Sequence, residues 1–147
     1  MGQQQLLLLV LGIVIVGLAV VVGIQAFGEN QKKANADALT NDAIRIASDA
    51  QAWALKPAAF GGGEGDFHVG TATSGAPVGL THLGYELTSS AYSNINGKFK
   101  LNVTGTSAAN ITACNDARDN LVTVTLTGVN ANDISTTANS SYTSACP

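Results

Sequence analysis

The sequence LLLLVLGIVIVGLAVVVGI at residues 6–24 contains only apolar side chains and glycine, and no charged residue precedes Glu29. A helix of about 20 apolar residues spans a bilayer core about 30 Å thick. Backbone polar groups in lipid must be satisfied within the segment itself, which favours a helix. The flank before the run has no Lys or Arg, unlike the basic start of a signal peptide. We therefore expect a retained transmembrane segment.

The composition of the whole chain excludes several classes of protein. Its 147 residues are 46% hydrophobic and only 12% charged, whereas about 25% of the residues in an average soluble domain are charged. This balance argues against an ordinary cytosolic enzyme and against a disordered tail. The net charge of −3 comes with scattered Lys and Arg, so no basic patch for nucleic acid is expected. We find no catalytic or cofactor motif, and we predict a protein without enzymatic activity or cofactor.

The helical pattern continues beyond the apolar run. Apolar residues recur at alternating spacings of three and four, which places them on one face of a helix; they are Ala36, Leu39, Ala43, Ile46, Ala50 and Trp53. One helix ending near residue 55 would be roughly 80 Å long. We divide the chain into an apolar half-helix over residues 1–28, an amphipathic half over 29–55, and a globular domain over 56–147.

Glycines interrupt the apolar run at Gly12, Gly17 and Gly23. Each glycine weakens a helix by about 1 kcal/mol relative to alanine. Two interpretations stay open. The helix is either an ordinary membrane anchor, or one that packs against copies of itself and stretches between Gly12 and Gly17.

The remainder of the chain predicts a small antiparallel sheet. Short strands are expected at residues 67–69, 83–87, 98–103 and 121–126, and Asn96-Gly97 is typical of a hairpin turn. Residues 128–147 lack apolar periodicity and are expected to form a loop. Gly61-Gly62-Gly63 is expected to end the helical pattern, and residues 62–66 (GGEGD) are interpreted as a flexible hinge between helix and sheet. The predicted fold class is α+β, with one face of the sheet against the helical stripe.

The two cysteines, Cys114 and Cys146, are predicted to form a disulfide. A domain of about 90 residues has a limited core, and closing this loop adds roughly 3–4 kcal/mol in the chain-entropy model. Disulfides persist in oxidising compartments, so the C-terminal domain is expected outside the cytoplasm. The alternative is two free thiols.

This order of parts resembles a bacterial type IV pilin: an apolar helix, its amphipathic continuation, a glycine-rich loop, a sheet and a cysteine-closed C-terminus. The resemblance implies a structural subunit of an extracellular filament that polymerises with copies of itself. It also implies residence in the inner membrane before assembly and an ATP-driven assembly machinery as a partner. The residues that would line the membrane and then the filament core are Leu6, Leu7, Leu8, Leu9, Val10, Ile13, Val14, Ile15, Val16, Leu18, Val20, Val21, Val22 and Ile24.

The resemblance also gives roles to the N-terminal residues. Met1 becomes the candidate for processing and methylation. The family commonly has Glu at the fifth position, where it pairs with a neighbouring subunit's N-terminal ammonium. This chain has Gln5, whose amide oxygen is able to accept a hydrogen bond from that ammonium. The alternative is that Gln3, Gln4 and Gln5 only sit at the membrane interface.

Two other functions share most of these features. A pseudopilin of type II secretion is similar in architecture and usually carries a calcium site, for which Asp116, Asp119 and Asp133 are candidates; a solvated acidic surface is the alternative. A single-pass membrane protein with an exported binding domain needs the same anchor and disulfide.

Two further groups of residues have candidate roles. His68 lies near Glu64 and Asp66 and is able to bind a metal adventitiously, although no dedicated metal site is predicted. Candidate glycosylation sites are Asn102, Asn110, Asn139, Ser140 and Thr143. The three asparagines each begin an Asn-X-Ser/Thr triplet, and such triplets also arise by chance in a chain rich in Asn, Ser and Thr. An intact mass equal to the 14.9 kDa polypeptide would exclude glycosylation.

Overall fold

The computed structural model describes residues 2–69, 76–139 and Cys146. It divides the chain into two compact units, Met1–Ala34 and Asn35–Pro147. Helix α1 spans Gly2–Leu55, so the first unit consists of helix, and every described side chain in it is exposed or half-buried. The second unit begins within α1 because the buried stripe of the helix packs against residues of the sheet, which belong to this unit.

One stripe of α1 in the second unit is buried, as the sequence predicts. Leu39, Ala43, Ile46 and Ala50 are at most 1% exposed, and Trp53 is 9% exposed. Ala47, Gln51 and Ala54 widen the stripe. The buried amide of Gln51 is satisfied, since its Nε2 donates to the carbonyl oxygens of Gly128 at 3.0 Å and Asn130 at 2.8 Å.

The segment after α1 is a packed helix end. A 3₁₀ turn at Ala58–Phe60 follows, and the N–H groups of Gly63 and Gly65 donate to the carbonyls of Trp53 and Ala54. Gly62 and Gly63 are buried, and a Cβ on either would overlap a backbone carbonyl oxygen. The flexible hinge expected from the glycine content is therefore wrong. Glycine is needed at positions 62 and 63 because the backbone carbonyls of Lys56 and Asp66 occupy the space of a Cβ atom.

The main sheet is an antiparallel meander of five strands in chain order. Its strands are β3 (Tyr92–Ser93), β4 (Lys98–Gly105), β5 (Ala108–Asn115), β6 (Asn120–Leu126) and β7 (Ile134–Asn139). A separate antiparallel pair is formed by β1 (His68–Val69) and β2 (Ala76–Pro77). Two more 3₁₀ turns lie at Leu80–Leu83 and Ala131–Asp133. The described architecture is thus α+β.

The core of the second unit lies where the helical stripe and one face of the sheet bury each other's apolar side chains. Burial alternates along β5 and β6, as expected for strands with one covered face. The sheet's fully buried members are Phe99, Ala109, Ile111, Ala113, Val122, Val124 and Leu126. They form one cluster with the stripe of α1. Alanines contribute to this cluster from both the helix and the central strand β5.

Three strand predictions need correction. Residues 83–87 form no strand; a 3₁₀ turn ends at Leu83, Gly84 lies in a turn, and residues 85–87 have no regular secondary structure. Strand β5 was not predicted, because two of its four buried positions are alanine and only Ile111 among them is β-branched. The loop expected over residues 128–147 is wrong for Ile134–Asn139, since β7 pairs with β6 along its whole length. Residues 128–133 contain no strand, and residues 140–145 and 147 lie outside the described residues. Only Ile134 of β7 is half-buried, so backbone pairing and not apolar burial holds this strand.

The predicted hairpin at Asn96-Gly97 is present as a four-residue turn between β3 and β4. Asn94 N–H donates to the Gly97 carbonyl at 2.9 Å. A Cβ on Gly97 would overlap the Cys114 carbonyl oxygen and lie 2.8 Å from Leu39 Cδ2. Neither neighbour moves freely, because Cys114 opposes Lys98 in the β4–β5 pair and Leu39 is fully buried.

We expect Gly97→Ala to lower the free energy of unfolding by about 1–3 kcal/mol, the usual cost of overpacking a closed site. Gly105→Ala at the end of β4 is the control, since its Cβ would meet only Ala108 Cβ at 3.7 Å. Urea unfolding followed by the fluorescence of the single Trp53 measures both. Equal midpoints for the two variants would contradict the steric explanation.

Candidate membrane and assembly surface

The first unit presents an apolar surface on all sides of α1. Its large apolar side chains, from Leu6 to Phe27, are between 50% and 73% exposed. The segment is long and apolar enough to cross a membrane, by length and composition. Soluble monomers rarely expose contiguous apolar patches above a few hundred Å². This surface, defined as residues 6–27 and called the apolar surface, therefore associates with a membrane or with other apolar segments.

The glycines and glutamines of the first unit lie on a continuous helix. Gly12, Gly17 and Gly23 have no heavy atom within 4 Å of an added Cβ, and α1 is helical through all three. Whether the helix stretches between Gly12 and Gly17 stays a prediction. Gln5 is exposed, and Met1 lies outside the described residues, so the proposed contact between them also stays a prediction.

The predicted disulfide between Cys114 and Cys146 is confirmed, with the two Cα atoms 5.8 Å apart. Cys114 is fully buried in the central strand β5, so the bond anchors the chain end to the most enclosed part of the sheet. Cys146 N–H also donates to Asp116 Oδ1 at 3.0 Å. The bond closes a sequence separation of 32 residues that includes β6 and β7.

A cluster of polar side chains fixes the Asn94–Gly97 turn to α1. Asp42 Oδ2 accepts from Asn94 Nδ2 at 2.8 Å and from Asn96 Nδ2 at 2.7 Å. The Asn96 carbonyl accepts from Asn35 at 3.0 Å and from Asn115 at 2.6 Å. We call these five residues the asparagine clamp. Sequence reasoning found only the turn itself, because asparagine has no periodic signal and its partners are far apart in the chain.

No protein-family model, curated protein or solved structure matches the chain. The functional assignment therefore rests on the apolar surface, the disulfide-closed domain and the resemblance in architecture.

The second unit also contains a tyrosine with a shifted pKa. Tyr85 donates its phenol proton to Asp49 Oδ2 at 2.5 Å. Burial of the phenol, together with the hydrogen bond to the Asp49 carboxylate, raises the pKa of Tyr85 from 10.0 to about 12. The hydroxyl therefore remains protonated at every physiological pH. Its hydrogen bond to Asp49 connects the segment around Tyr85 to α1.

This pKa predicts how stability changes in alkaline solution. Because folding raises the pKa of Tyr85, its contribution is complete below pH 10 and is lost as the pH rises from 10 towards 12. Tyr85→Phe should consequently lose less stability than the wild type over that interval. Urea midpoints below and within the interval measure the difference. Identical pH slopes for Tyr85→Phe and the wild type would refute the assignment.

The acidic candidates for a calcium site do not come together. Asp116 accepts from the Cys146 backbone, whereas Asp133 Oδ2 accepts from Asn130 N and Nδ2 at 3.0 Å each. Within the described ranges no group of three His, Cys, Asp or Glu residues could hold a metal ion. His68 Nδ1 lies 2.9 Å from Oδ1 of the buried Asp66, and Glu64 is exposed.

The candidate glycosylation residues have different environments. Asn102 is exposed on β4 and Asn110 is half-buried opposite it on β5. Asn139 is exposed at the end of β7. Ser140 and Thr143 lie outside the described residues. Modification of any of them stays a prediction.

Proposed function

We propose that the protein is the structural subunit of an extracellular filament of the type IV pilus kind, without enzymatic activity. The observation that carries the proposal is the contrast between the two parts of α1. The large apolar side chains between Leu6 and Phe27 are exposed around the helix, whereas the part of α1 in the second unit buries one stripe against its own sheet. The second unit thus covers its apolar helical stripe with its own sheet. The first unit leaves its apolar side chains uncovered around the helix, so it needs apolar partners on every side.

Lipid and copies of the same helix are suitable partners for the apolar surface. Hydrocarbon and a bundle of Leu, Val and Ile side chains are similarly apolar, so transfer between them has a small hydrophobic term. The subunit would reside in the inner membrane before assembly and then enter a homopolymer whose axis is lined by residues 6–24. In that filament Gln5 would accept a hydrogen bond from the N-terminal ammonium of a neighbour, with Met1 as the processed residue.

The remaining features fit a filament exposed outside the cell. The disulfide suits an oxidising compartment, and β7 presents Ser135, Thr136 and Thr137 to solvent. The partners proposed are other copies of the chain, the inner membrane and an assembly machinery, with no nucleic acid.

Electron microscopy of material sheared from cells that produce the protein tests the proposal. We expect uniform filaments with this chain as their main component by mass spectrometry, and a helical map with residues 6–24 along the axis. Cells that lack the gene serve as the control. Protein found only in the membrane fraction, with no filaments, would replace the proposal by a single-pass protein with an exported binding domain.

A further inference from the structure

A small cavity opens in the second unit between α1 and the start of the sheet. Its volume is about 140 Å³, and its lining residues are Asp42, Arg45, Ile46, Tyr85, Tyr92 and Asn94. A cavity of about 150 Å³ holds one benzene ring, so this partly open one receives one face of a six-membered ring whose substituents extend into solvent.

The apolar part of the cavity is held rigidly. Tyr85 and Tyr92 meet edge to face with ring centroids 5.0 Å apart, and Tyr92 contacts the buried Phe99 at 5.8 Å. Ile46 is 1% exposed. The hydrogen bond from Tyr85 to Asp49 fixes the first ring further. The cavity is therefore preformed, and ligand binding need not order these side chains.

The polar part of the cavity has unused hydrogen-bonding capacity of both kinds. Asp42 accepts two amide N–H groups, both on Oδ2, and among the described residues nothing donates to its Oδ1. Arg45 forms neither a hydrogen bond nor an ion pair with any residue that the structure describes, although it lies one helical turn from Asp42. The Tyr92 hydroxyl is equally unengaged in the described part of the chain. An acceptor, a guanidinium fork and a phenol thus line one ring-sized space.

We propose that this cavity binds one neutral pyranose ring of a carbohydrate. Sugar hydroxyls are both donors and acceptors, so they match Asp42 and Arg45 together without bringing in a net charge. The C–H face of a pyranose packs on tyrosine rings, as in pockets where a few polar groups orient an apolar contact. The inference does not depend on filament assembly, because all six lining residues belong to the second unit.

Saturation-transfer NMR on the full-length protein tests the inference. The protein is kept in a zwitterionic detergent, because detergents with sugar head groups would compete for the cavity. The probes are methyl β-D-glucopyranoside, methyl β-D-galactopyranoside and methyl α-D-mannopyranoside. We expect transfer to one ring face of at least one probe, with a dissociation constant on the order of 1 mM for so small a ligand. Absence of transfer to all three would overturn the proposal.

Variants then locate the binding. Arg45→Gln removes the guanidinium from an exposed helix position and should weaken binding about tenfold or more, as expected for hydrogen bonds to a charged group. Arg118→Gln changes the other arginine of the chain, which does not line the cavity, and should bind like the wild type. Tyr92→Phe keeps the ring and should weaken binding less than Arg45→Gln.

Each contrary result has a defined meaning. Circular dichroism and the urea midpoint of Arg45→Gln should match the wild type, because the residue is exposed and makes no described hydrogen bond. Equal affinities of the two arginine variants would overturn the proposal. So would transfer to the zwitterion serine that depends on Arg45 without transfer to any of the sugars, because the cavity would then be an amino-acid site.

Discussion

Replacement of both Ile13 and Val20 by lysine is expected to remove the protein from the membrane and to abolish filaments. Both side chains belong to the apolar surface and are 65% and 55% exposed. A lysine near the centre of a membrane-spanning helix costs about 2.5–3.5 kcal/mol on insertion scales, so two cost about 5–7 kcal/mol. In a filament the same ammonium groups would be buried among apolar helices without partners.

Two controls separate this effect from general damage to the chain. Ile13→Leu with Val20→Leu keeps the surface apolar and should behave like the wild type. Asn41→Lys with Ala52→Lys adds the same charge at exposed positions of α1 in the second unit and should leave membrane association intact. Fractionation with alkaline extraction reports insertion, and electron microscopy reports filaments. A double-lysine variant that stays in the membrane would show that the apolar surface is not the anchor.

The helical features were predictable from sequence because they repeat. A stripe at spacings of three and four specifies which residues face the core. The buried residues predicted in this way are Leu39, Ala43, Ile46, Ala50 and Trp53. Strand β6 was predictable for a similar reason, since its Val and Leu alternate with Thr. The disulfide followed from the small size of the core and from the two cysteines available.

Features that depend on contacts between distant residues were not predictable in this way. Strand β5 has alanine at two of its buried positions, Ala109 and Ala113, and alanine is no signal for a strand. The asparagine clamp joins Asn35 and Asp42 on α1 to residues more than 50 positions away. The glycine-rich segment after α1 looked flexible because its local composition does not reveal that its N–H groups donate to the last turn of the helix.

Removal of the Cys114–Cys146 disulfide should lower the free energy of unfolding of the second unit more than the other changes proposed for that unit. The chain-entropy model gives about 3–4 kcal/mol for a loop of this size, which is a large share of the 5–15 kcal/mol that typically separates folded from unfolded protein. Cys146→Ser is the preferred variant, because Cys146 is half-buried while Cys114 lies in the core. Urea unfolding followed through Trp53 measures the loss. Reduced wild-type protein should have the same midpoint as Cys146→Ser.

The loss of stability without the disulfide should be larger in β7 than in the central strands of the sheet. Strand β7 has one half-buried apolar residue and one neighbouring strand among the described residues, so little besides β6 pairing and the crosslink beyond it restrains the strand. Without the disulfide, amides of Ile134–Asn139 should exchange with solvent well before those of Ala108–Asn115, whose strand is paired on both sides. Local exchange of β7 with an unchanged global midpoint would mean that the bond only fastens the edge strand. Unchanged exchange and an unchanged midpoint together would contradict any stabilising role, because a crosslink that restricts the unfolded chain must raise the free energy of that state.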